Sequence, residues 1–201
     1  MQSIRRDYIM VKNSEILKGY DSQIDKMGGE FGTPEQTAHI KKVILEKLPE
    51  EELLYLTTIS PTGWPETSIV HFVSGGDNEN NPFFYVFTQP QFKKVENISN
   101  NPRAAISICH MPKKGAGKPW VFQVNALAGL VEDGPDKEAA VAMMKKKLGM
   151  AGELMAKKLK NQPCIRIDPV LGTWSMPEGF GKTNSMPIDF TKARTAAEGM
   201  A

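Results

Sequence analysis

From residue 53 to residue 133 most apolar positions recur with a period of two, the spacing of strands that bury one face. LLYLTTI (53–59) and PETSIVHFV (65–73) alternate in this way and are joined by the turn SPTG (60–63). In the second strand Thr67, Ile69, His71 and Val73 take one side, and Ser68, Val70 and Phe72 the other. Pro65, which lacks a ladder donor, places its start at an edge. GGDNENNP (75–82) is a polar turn, and FFYVFT (83–88), RAAISICH (103–110), VFQVNALAGLVED (121–133) and CIRIDPVLGTWSM (164–176) complete six strands. The fifth is long enough to bend, with Gly129 marking a bulge or a close backbone approach.

Helical spacing interrupts this pattern at few points. Thr33 before Pro34, with Gln36 in the capping-box position, starts a helix whose apolar face is Val43, Ile44 and Leu48 and which Pro49 stops. FKKVENI (92–98) is a short helix, and two more flank Gly149 at 136–148 and 151–160. Ala140, Met144 and Leu148 recur every four residues, so these methionines belong to a core face. From Pro177 the chain is rich in Gly and Pro and reads as loop and tail. The resulting division is a helical extension (1–49), a barrel domain (50–176) and a C-terminal tail (177–201). Strands joined mostly by hairpins predict an antiparallel barrel rather than a doubly wound sheet.

Composition narrows the function class only modestly. The 201 residues are 40% hydrophobic and 24% charged, with a net charge of +2, as expected of a globular chain with a sizeable core. Residues 137–160 hold seven lysines against two glutamates. They lack interleaved aromatics and read as solvated helix faces, so no nucleic-acid partner is expected. No stretch approaches a membrane span and the start MQSIRRDYIMVKNSE has no signal-peptide core, so a cytoplasmic location without a membrane partner is expected. Cys109 and Cys164 each sit in an apolar strand-like run and are expected to be buried thiols rather than a disulfide. His39, His71 and His110 show no metal-ligand spacing, and Ser60, Ser68 and Ser107 lack elbow glycines, which argues against zinc and acyl-transfer chemistry.

The remaining candidate lies at FTQPQFKKVENI. Thr88 ends a strand, and Lys93 and Lys94 open a helix whose first amides have no intrahelical partner. A hydroxyl, a cation and helix-start amides form a phosphate site; the same residues also fit a solvated helix start. His71 shares its facing with Ile69 and suits either a structural role or a contact with a heteroaromatic ring.

In this order, LLYLTTISPTGWPETSIVHFV, FFYVFTQPQFKKVENISNNPRAAISI and VNALAGLVED resemble the FMN-binding split barrels of the pyridoxamine-phosphate-oxidase-like family. The most specific match is Thr88, Lys94 six positions on, an apolar residue four later, and Asn101-Pro102 before the next strand. The resemblance implies a mainly β fold with flanking helices, a split antiparallel β-barrel, and a homodimer with FMN at the subunit interface. It implies Thr88 and Lys94 as phosphate ligands with Lys93 beside them. Ser68, Ile69, Val70 and His71 would line the ring and ribityl chain, with Gln123 reaching from the partner subunit and Trp174 near the ring. Ser68 stands where many members have Arg, and WSMPEGFGKTNSMPIDF (174–190) lacks the family's substrate-binding Arg and His pattern, so vitamin B6 oxidation is not assigned. The implied activity is FMN-dependent electron transfer between a reduced donor such as NAD(P)H and a small-molecule or protein acceptor. A non-enzymatic FMN electron carrier, or a deazaflavin- or haem-handling relative, stays open.

Overall fold

A computed structural model of the protein describes residues 33–112, 117–177 and 183–190. Its first helix, α1 (Pro34–Lys47), begins with the predicted capping box: the Thr33 hydroxyl accepts from the Gln36 N–H at 3.3 Å, and the Gln36 side chain accepts from the Thr33 N–H at 2.8 Å. Two orphan donors are thereby satisfied. A 3₁₀ turn (Leu48–Glu50) containing Pro49 then leads into the sheet. Ile44 and Leu48 are fully buried in the main core with Leu54, Phe72 and Phe84. The helix expected as an extension is thus part of the core, inside the same compact unit as the strands, Phe31–Ala201.

Among the described residues, eight strands form one antiparallel sheet: β1 (Leu53–Ile59), β2 (Pro65–His71), β3 (Val73–Gly76), β4 (Pro82–Phe87), β5 (Arg103–His110), β6 (Trp120–Val131), β7 (Cys164–Pro177) and β8 (Thr183–Asp189). Their order is β2-β1-β5-β6-β7-β4-β3, with β8 paired to β7. This mainly antiparallel half-barrel with flanking helices is a split barrel. Helix α2 (Lys93–Asn100) connects β4 to β5; α3 (Pro135–Leu148) and α4 (Met150–Lys160) connect β6 to β7. Inward side chains such as Leu56, Val70, Ile106, Phe122 and Val124 fill the main core. A second cluster joins Ala140, Val141, Met144 and Leu159 of the two helices to Val73, Tyr85 and Cys164, so Met144 is a core residue. None of the described helices is long and apolar enough to cross a membrane.

Four details correct the sequence reading. The run 65–73 is two strands, because at Phe72 the chain leaves β1: the Phe72 N–H reaches Glu52 O at 3.4 Å, and its carbonyl accepts from Lys147 Nζ at 2.9 Å. Val73–Gly76 pairs with β4 instead, and Gly75 and Gly76 let it lie against Phe83 and Leu45, where a Cβ would come within 2.5 and 2.8 Å. The register shift in β6 falls between Asn125 and Ala126 rather than at Gly129, whose surroundings are open. Cys164 is buried but Cys109 is exposed, since it stands on the outward face of β5. The tail is not all loop: Thr183–Asp189 pairs with β7 as β8, a strand whose Pro187 and polar start mask the period of two.

Candidate functional site

At the end of β4 the chain turns sharply into α2. Thr88 is only 6% exposed, and its N–H is bonded to Pro163 O at 3.1 Å. Among the described residues its hydroxyl takes no hydrogen bond. No fully buried side-chain oxygen or nitrogen there lacks a partner, so this hydroxyl keeps an opening. The loop closes through a Phe92 N–H to Gln89 O bond at 3.2 Å, and α2 begins after Phe92 with no side chain capping its first amides. A helix start left in this state favours an anion.

The two lysines of this turn have different surroundings. Lys93 is 80% exposed at its side chain, and its Nζ lies 3.1 Å from Glu66 Oε1. Glu66 also accepts from Asn97 Nδ2 at 3.0 Å, and that buried amide donates to Thr58 Oγ1 at 2.9 Å. The Asn97 bond first, and then Lys93, hold the Glu66 carboxyl below its ordinary range. Lys94 is half-buried with its ammonium 4.6 Å from the Phe92 ring centroid, and among the described residues no carboxylate pairs with it. Burial pushes its pKa down, because the charged form has lost water without gaining a counter-charge. An anion beside Lys94 would relieve that cost, whereas Lys93 already has its partner. Glu66, Asn97 and Thr58 were not singled out from sequence; what joins them is the register Thr58↔Glu66 and the docking of α2 over it.

The pleat divides the β2 candidates. Ser68 and Val70 turn toward the interior, whereas Ile69 and His71 are exposed outward. Pairing aligns Ile69, Tyr55, Ser107, Gln123 and Thr173 as one outward row across β2, β1, β5, β6 and β7. Gln123 and Ile69 therefore share a face. Thr88 stands elsewhere: its neighbour Phe87 pairs with Cys164, which pairs with Val131. Gln123 is eight residues from Val131, about 26 Å along the strand at ~3.3 Å per residue. Trp174 lies within β7 and is 3% exposed, its ring stacked on Trp120 at 4.7 Å between centroids. Within one protomer the structure brings Lys93 to the Glu66 end of β2, next to the turn that carries Thr88 and Lys94; Gln123 faces outward on β6, and Trp174 is buried on β7.

A family model described as pyridoxamine 5'-phosphate oxidase matches residues 40–173. No curated protein matches the chain. Among solved structures, ChuZ of Campylobacter jejuni superposes with a TM-score of 0.57 at 18% identity, covering 74% of this chain and 59% of its own. A heme binding protein from Mycobacterium smegmatis gives 0.55 at 17% identity, covering 75% and 57%. HutZ, the heme storage protein from Vibrio cholerae, gives 0.50 at 20% identity, covering 64% and 89%. At these identities the likeness is one of fold, and the family match extends from α1 through most of β7. The chain belongs to the pyridoxamine 5'-phosphate oxidase-like split-barrel family.

Proposed function

We propose that the protein is an FMN-dependent oxidoreductase, acting as a homodimer that holds flavin between its two barrels. The contrast between adjacent lysines carries this reading: Lys93 is paired with Glu66, while half-buried Lys94 has no carboxylate among the described residues. A phosphate would take a charge-assisted bond from Lys94, a bond from the Thr88 hydroxyl, and the open first-turn amides of α2. These donors fit the phosphate of FMN, which when bound supplies electron-transfer chemistry that side chains lack.

The chain's own residues then bind and orient. Ser68 to His71 line the ring and ribityl chain through backbone and alternate side chains. Gln123, exposed on the outward face of β6, reaches the flavin of the partner subunit, the role the family resemblance implies. Exposed Leu53, Tyr55 and Ile69 give the outward face the apolar character a second copy would cover. His71, exposed on that face, is placed to hydrogen-bond a heteroaromatic ring, and Trp174 supports the ring's surroundings from within the core. Donor and acceptor are a reduced nucleotide such as NADH or NADPH and a small molecule or protein.

The test is the absorption spectrum of protein purified without added cofactor, followed by anaerobic mixing with each nucleotide. Flavin bands that bleach with NADH or NADPH and return with an acceptor support the proposal. Flavin bands that neither nucleotide bleaches leave a carrier without turnover. A single deazaflavin band, or a Soret band whose strength is independent of Lys94, replaces FMN. The last outcome matters because haem-binding proteins are among the structural relatives.

A further inference from the structure

The α3–α4 corner presents a surface that neither the barrel core nor the strand-end site uses. Gly152 permits the close approach of the two helices: a Cβ there would lie 2.7 Å from the Lys145 backbone. With Gly152 and Leu159 buried, and Ala156 partly so, one side of α4 is fixed against the protein. At 100° per residue the opposite side carries Met150 and Leu154, one turn apart, with Lys157 and Lys158 to either side of them. Met150 is 85% exposed and Leu154 84%. Lys160 of the same helix and Lys146 of α3 are also exposed, and Glu153 is ion-paired with Lys145 at 2.8 Å.

From this arrangement we propose that the outer ridge of α4 is a peripheral docking surface for an anionic lipid bilayer. The ridge is convex, since its two apolar side chains stand on the solvent side of a helix fixed along its other side. Two side chains cover far less than the roughly 800 Å² per partner of a standard protein interface. A bilayer interface requires no matching groove; it accepts shallowly inserted apolar side chains and attracts flanking lysines to its anionic headgroups. Lys146, Lys157, Lys158 and Lys160, none of them paired with a carboxylate among the described residues, supply that attraction. The contact is peripheral and needs no membrane-spanning helix, of which the described residues contain none. It is independent of whether the barrel holds FMN.

The experiment is co-sedimentation of the full chain with vesicles of phosphatidylcholine alone and with about one-third phosphatidylserine, at low and high salt. The wild type is expected to bind the anionic vesicles selectively and to be released by salt. Lys157→Gln with Lys158→Gln should weaken binding roughly 30-fold. Met150→Gln with Leu154→Gln, substitutions at solvated positions that retain the fold, should weaken it roughly tenfold or more at unchanged charge. Equal binding to both vesicle types, no binding to either, or selective binding that the four substitutions leave intact overturns the proposal. So does dissociation of an oligomer by Leu154→Gln, which makes the ridge a subunit contact. Retention on polyglutamate without vesicle binding also overturns it and identifies an acidic protein as the partner.

Discussion

Replacing Lys94 by Ala tests the phosphate assignment where it is most specific. The substitution removes a half-buried ammonium that has no carboxylate partner among the described residues and leaves the adjacent Lys93–Glu66 pair in place. A hydrogen bond to a charged group contributes about 1.5–3 kcal/mol, which corresponds to a loss of roughly 10- to 150-fold in FMN affinity. Lys93→Ala removes an exposed ion-pair partner worth about 0–1 kcal/mol and should change affinity by less than about fivefold. Titration with FMN followed by flavin fluorescence measures both variants. Riboflavin, which lacks the phosphate, serves as the internal reference and should be bound almost equally by wild type and Lys94→Ala. The pH dependence follows from the same burial. Because the free protein holds the Lys94 pKa low and a bound anion raises it, FMN affinity should fall as pH rises through the free-protein value. An equal loss for FMN and riboflavin, or a larger loss for Lys93→Ala than for Lys94→Ala, would refute the assignment.

Three further outcomes follow from the structure. Asn97→Ala leaves the buried Thr58 hydroxyl and Glu66 without their shared donor and should cost about 1–3 kcal/mol of stability by urea unfolding, with unchanged melting as the contrary result. Burial raises the Cys164 thiol from 9.0 to about 12, so between those values the folded state holds a proton that the unfolded state has lost, and stability should fall as pH rises. Cys164→Ala should flatten that part of the stability–pH curve; an unchanged slope would place the titration elsewhere. Ile69→Glu puts a charge on the outward apolar face and should convert the proposed dimer to monomer in sedimentation velocity, whereas a dimer that persists would move the interface to another face.

Local chemistry determined much of this protein. The capping box at Thr33, the alternation of β1 and the helices around Gly149 could be read because each depends on residues a few positions apart. So could the Thr88-to-Lys94 turn, since one strand end and one helix start contain all of it. Long-range pairing decided the rest. Nothing near Phe72 in sequence announces that Lys147 will take its carbonyl and divide the strand. The polar start of β8 conceals a strand until β7 offers it an edge. The two lysines of the turn are equivalent as letters; the register Thr58↔Glu66 and the seating of Asn97 bring a carboxylate to Lys93 and leave Lys94 without one. Sequence could name the groups able to meet an anion, but which cation is already paired depends on charges brought together from 27 residues away, and only the folded chain sets that distance.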